Sequence, residues 1–207
     1  MGTPKAALDW HGSTLLYRAV SVLAAATGGP VVVVRAAGQP LPHLPQGTVV
    51  ADDPRAGRGP LQGIAAGLAA LAALDGGPAD RSGLAAFAAA TDMPFLHPAF
   101  VRRVLALLAE DQADVALPVA RGYAQPLAAA YRVALAPAAD QLVASGRLRP
   151  ADLFASCAVT RLDEARLLAD PALRAADPGL DSLVNVNDPA EYAAALSRAV
   201  LGGREAQ

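Results

Sequence analysis

The sequence predicts an α/β fold: a mostly parallel sheet with helices on both faces. Three observations carry this. Short apolar or β-branched runs alternate with helical patterns for most of the length, which marks βαβ units. Each run stops at polar or turn-forming residues, as strands buried on both faces of a sheet do. The run at 84–90, LAAFAAA, is apolar without a break and then halts at Thr91, Asp92, Met93 and Pro94.

The elements follow in order. Gly2, Pro4 and Lys5 read as a loop with no strand before it, and 9–13 reads as a polar turn. Leu15, Leu16, Ala19, Val20, Val22 and Leu23 give one apolar helical face, ended by Gly28, Gly29 and Pro30. Val31 to Val34 is wholly β-branched and predicts a strand. A second short strand at 48–51 stops at Asp52, Asp53 and Pro54, and a glycine-rich loop, RAGRGPLQG, covers 55–63. A helix is expected over 64–74, a linker over 76–82, the strand at 84–90, and a helix over 98–110. Strands are expected at 115–119 and 127–132, helices at 136–145 and 150–156, an extended piece at 183–186 and a last helix at 190–201. The tail after Gly202 is expected to fray.

The chain has 207 residues, 54% of them hydrophobic, enough for one domain with a sizeable core. No repeat or low-complexity linker divides it. The net charge of −2 offers no basic surplus for nucleic acid. No apolar run reaches the roughly 20 residues of a membrane span, and no basic-then-apolar leader follows Met1. A single cysteine, Cys157, precludes an internal disulfide and suits a reducing cytoplasm; its apolar surroundings make it a core residue.

Ligands in open α/β sheets lie beyond the carboxyl ends of the strands. Four loops qualify: that of Lys5; Asp52 and Asp53 with 57–63; 91–94; and 185–188. Singly each is ordinary: a surface lysine, a turn starter, a flexible linker, a helix start. Together they supply a lysine, separated carboxylates and a glycine-rich loop at a helix start. That set suits a phosphorylated ligand with a divalent cation. Asp92 reads either as a metal-holding carboxylate or as a cap for the helix after Pro98. GxxxxGK[ST], GxGxxG after a strand, GxSxG and zinc-spaced Cys and His are all absent.

Five segments, in chain order, resemble the MobA-like nucleotidyltransferases: MGTPKAALDWHGSTLL, DDPRAGRGPLQGIAAGL, FAAATDMPFL, YAQPLAAAYR and LVNVNDPAEY. The resemblance implies a three-layer Rossmann-like nucleotidyltransferase fold. It implies transfer of GMP from GTP to molybdopterin with release of pyrophosphate and dependence on Mg²⁺, as in the guanylyltransferases of molybdenum cofactor synthesis. Lys5 would meet the nucleotide phosphates, and Asp53, Gly59, Pro60, Leu61 and Gly63 the base and ribose. Asp92 would hold the metal, with Lys5 beside it in catalysis. Gln125, Pro126, Asn185 and Asn187 would face the acceptor. Transfer of CMP, another small phosphorylated acceptor, a non-catalytic module docking a molybdoenzyme or its chaperone, or an inactive relic are the alternatives. In the family a strand and an LAGG loop precede the Met-Gly pair at which this sequence begins. The resemblance therefore implies a sheet lacking its first strand, either a start assigned too late or a compromised enzyme, and weak GTP binding by these 207 residues.

Overall fold

A computed structural model describes residues 5–53, 57–74 and 83–205, with side chains to 199. Lys5–Ala7 forms a 3-10 turn, and β1 (Asp9–Trp10) and β2 (Ser13–Thr14) a small hairpin. Thr14 caps α1 (Leu15–Thr27), its Oγ1 accepting from Tyr17 N at 3.1 Å, and Gly28 ends it at φ 64°. β3 (Val32–Ala36) and β4 (Val49–Asp53) pair in parallel, and α2 spans Pro60–Leu74. β5 (Ala85–Ala89) leads to α3 (Pro98–Glu110). Next come β6 (Val115–Ala120), β7 (Tyr123–Ala124) and β8 (Ala128–Arg132), then α4 (Ala136–Ala144) and α5 (Pro150–Phe154). β9 (Val159–Leu162), α6 (Glu164–Leu168), α7 (Pro171–Ala176) and α8 (Pro189–Glu205) complete the chain.

The α/β reading holds, and the three layers are visible in side-chain alternation. On β5, Phe87 and Ala89 join the core containing α3, while Ala86 and Ala88 join that of α2 and α4. Ala128 and Ala130 of β8 face the first core, and Ala129 and Tyr131 the second. Period-two alternation between two cores is the mark of a sheet covered on both faces.

The pairing is mixed. β3 runs parallel to β4 and β6 to β9, but β8 lies antiparallel between β5 and β6. An alanine-rich strand gives no local signal of its direction. Further differences are local. The hairpin of β1 and β2 replaces the expected turn, β9 carried too little apolar pattern to be seen, and the extended piece at 183–186 is instead a 3-10 turn at Asp181–Leu183 followed by irregular chain. The last helix continues past Gly202 to Glu205. The linker at 76–82 and Gly2 and Pro4 lie outside the described residues.

The sheet is split. β3 and β4 form one sheet; β5 is the end strand of the other. Between β3 and β5 lies a largely apolar cavity of about 710 Å³, lined along its length by Val32, Val34, Leu84, Ala86 and Ala88. The residues of β5 are accordingly only half-buried, against the sequence expectation of a strand buried on both faces. No helix among the described residues is long and apolar enough to cross a membrane.

Candidate active site

Three of the expected residues converge. The Lys5 ammonium donates to Asp92 Oδ2 at 2.8 Å and to Asn187 Oδ1 at 3.1 Å. These positions lie 87 and 182 residues apart in sequence. Asp92 stands just past β5, where a sheet presents residues to a ligand. The alternative of a helix cap is excluded. His97 caps α3, its Nδ1 accepting from Ala99 N at 3.2 Å, and the Asp92 carboxylate is engaged by lysine instead.

The loop carrying Asp92 is held from several sides. Arg18 on α1 donates through Nε to the Pro94 carbonyl at 2.5 Å, and burial lowers its pKa below the ordinary guanidinium value. Trp10 packs edge-on against Phe95 with ring centroids 5.7 Å apart. Val186 N donates to the Asp92 carbonyl at 2.9 Å, which ties the 185–188 loop to the end of β5. Sequence reasoning missed Arg18. An arginine four residues after a cap, on a face otherwise apolar, was the available signal.

Asp188 caps α8, accepting from Ala190 N at 2.8 Å and Glu191 N at 2.9 Å, and Glu191 Oε2 accepts from Asn187 N at 2.6 Å. The reciprocal bonds resemble a capping box and fix where Asn187 points. Further back, the buried Asp177 accepts from Asp181 N at 2.6 Å and Ser182 N at 3.0 Å, and Ser182 Oγ accepts from His97 N at 3.0 Å. Asp177 thus braces the same loop from inside.

On the other side, Asp53 ends β4 and lines the large cavity with Gly57, Gly59, Gly63 and Thr91. Gly59 sits at φ 97°, and a Cβ there would lie 3.3 Å from the Leu148 carbonyl oxygen. Only glycine fits that turn without strain. Pro60 opens α2, exposed. The side chain of Leu61 is fully buried in the core of α2, so any ligand contact there is limited to its backbone. Arg55 and Ala56 lie outside the described residues.

Gln125, Asn185 and Asn187 line a second cavity of about 480 Å³. Pro126 does not line it. Its carbonyl instead accepts from the buried Tyr131 hydroxyl at 2.7 Å, a bond that steadies the loop bearing Gln125. Burial raises the Tyr131 pKa beyond the usual phenol range, so it stays a donor. Asn187 lines the second cavity, and Thr91, next to Asp92 in the chain, lines the first.

Among the described residues no three His, Cys, Asp or Glu side chains gather as a metal centre. That donor set still fits Mg²⁺, which is commonly held by one or two carboxylates with waters and substrate phosphates completing its shell. Asp92 could serve as one such carboxylate.

A model of the MobA-like NTP transferase domain matches residues 1–164. The chain belongs to this family. It is 37% identical over 148 residues to a probable molybdenum cofactor guanylyltransferase of Mycobacterium avium, covering 70% of each chain. It is 34% identical over 195 residues to the probable molybdenum cofactor guanylyltransferase of Mycobacterium ulcerans, covering 94% of this chain and 86% of that one. The crystal structure of a molybdopterin-guanine dinucleotide biosynthesis protein A from Archaeoglobus fulgidus shares the fold, with a TM-score of 0.65 at 20% identity, over 96% of this chain and 89% of that one. Membership of the family makes this a nucleotidyltransferase chain.

Proposed function

We propose that the protein transfers GMP from GTP to molybdopterin and releases pyrophosphate, with the chain acting as one catalytic unit. The observation that carries this is the meeting of Lys5, Asp92 and Asn187, with one cavity reached through Asn187 and another through Thr91 beside Asp92. A transferase must hold two anions end to end, and a cation close to two separate cavities suits that task. The names of the mycobacterial relatives favour guanine as the base and molybdopterin as the acceptor.

In this reading the nucleotide lies towards Asp53, Gly59 and Gly63, with the backbone at Pro60 and Leu61 presenting the start of α2 to it. Lys5 neutralises phosphate oxygens. Asp92 would hold Mg²⁺, which would supply positive charge for the phosphate oxygens of the nucleotide. Gln125, Asn185 and Asn187 place the acceptor, whose terminal phosphate attacks the α-phosphorus. No protein nucleophile is required: alignment and charge neutralisation carry the reaction. A cytoplasmic setting suits the lone cysteine.

The test is incubation of the protein with molybdopterin and Mg²⁺, with GTP and CTP in separate reactions, following pyrophosphate. Release with GTP and labelled product on molybdopterin supports the reading. Release with CTP alone, or with neither, overturns it.

A further inference from the structure

The second cavity has a wall that the reaction as described does not use. It is the two-residue turn between β6 and β7. Ala120 pairs with Tyr123, and the residues between them, Arg121 and Gly122, sit at φ 52° and φ 80°. Both being left-handed, this is the type I′ turn that favours Asn, Asp or Gly at its first position. Arginine there is strained and gains no local side-chain bond in return. Leu180, at φ 50°, lines the same cavity. Backbone strain held at non-glycine residues gathers where a side chain is used.

The charges lining the cavity are otherwise engaged. Glu164 Oε1 accepts from Arg121 N at 3.3 Å, pinning the turn to α6. Glu191 is bonded to Asn187 N. Arg198 is paired with Asp181 and lies over the Phe95 ring, 5.0 Å from its centroid. Of the charged side chains lining this space, only that of Arg121 has neither a hydrogen bond nor an ion pair among the described residues. Two residues on, Tyr123 is 74% exposed at the rim of the same cavity, and no other ring of the described residues stacks on it.

An unspent guanidinium binds a phosphate monoester through two parallel N–H donors. An exposed phenol ring offers a face to a planar heterocycle. We propose that this turn is the acceptor-recognition element. Arg121 binds the acceptor's phosphate, and Tyr123 packs against its fused ring. The inference rests on the acceptor-side reading given above, and it names the ligand class as a phosphorylated planar heterocycle.

The test measures binding and needs no turnover. The full chain is titrated with 6-hydroxymethylpterin monophosphate and with unphosphorylated 6-hydroxymethylpterin, following pterin fluorescence. Wild type is expected to prefer the phosphorylated form by about tenfold or more. Arg121→Asn is expected to erase that preference while raising the melting temperature, because asparagine suits the turn. Tyr123→Ala is expected to weaken both ligands by about tenfold, and Tyr123→Phe to restore them. A preference unchanged in Arg121→Asn, a fall in melting temperature together with lost binding, or no binding of either pterin by wild type overturns the inference. Pterin binding that follows this pattern without nucleotidyl transfer sinks the proposed reaction alone. Transfer to molybdopterin with an unchanged acceptor KM in Arg121→Asn sinks this inference alone.

Discussion

The Lys5 ammonium lies 2.8 Å from Asp92 Oδ2, joining the first described residue to the loop that follows the edge strand β5. Both side chains keep some exposure, 35% and 19%. An exposed pair of this kind adds little to stability, on the order of 1 kcal/mol or less. In the proposed reaction the pair holds two opposite charges where the phosphates would lie. Asp92→Asn and Lys5→Met are each expected to lower pyrophosphate release about 100-fold or more. The two changes and their double variant should couple by less than about 1 kcal/mol in urea unfolding. Retained turnover in Asp92→Asn removes the carboxylate from its role.

Asp177 is a structural support for the acceptor side. It is 5% exposed and carries two backbone N–H bonds of the loop leading to Asn185 and Asn187. Asp177→Ala strips both donors of their partner and is expected to cost about 2–3 kcal/mol in chemical unfolding. Acceptor KM should rise while the KM for GTP stays constant. An equal rise in both would place the damage elsewhere.

The split in the sheet makes a prediction about amides. Along β3 and β5 alternate N–H groups point to the cavity rather than to β4 or β8. These amides should exchange with solvent deuterium far faster than their neighbours, read residue by residue by NMR. Uniform protection along β5 would mean that its open edge is covered.

Cys157 should be inert. Burial, and secondarily the charge of Asp114, push its thiol up to about 11, and Sγ donates to the Leu153 carbonyl at 3.3 Å. The thiolate is the reactive form, so at pH 8 alkylation by iodoacetamide should run about 100-fold slower than for a free cysteine. The rate should climb as pH rises towards the raised value. Rapid labelling at pH 8 would contradict the burial.

Much of the site was legible as residue types at strand ends. Asp92 stood out because it closes an apolar run, whereas Lys5 and Asn187 were ordinary taken singly and were named only through their company in chain order. Leu61 and Pro126 show the limit. Both belong to segments that carry ligand-facing residues, yet the rotation of α2 turns the Leu61 side chain into the core, and Tyr131 takes the Pro126 carbonyl. Arg121 and Asp177 lay in segments with no distinguishing local pattern, and Tyr123 opens the segment YAQPLAAAYR, in which only Gln125 and Pro126 were singled out.

By itself the sequence determined the α/β class, the helix and strand periods, and the loops on which charge collects. Those follow from local burial, which repeats every two or every 3.6 residues. Tertiary structure alone decided that β8 enters antiparallel between β5 and β6, that the sheet parts between β3 and β5, and that Lys5 reaches both Asp92 and Asn187. Strand order and direction are set by packing among distant alanine-rich faces, whose side chains look alike from either end. A lysine's partner is set by where two remote loops stop, and no local pattern encodes that distance.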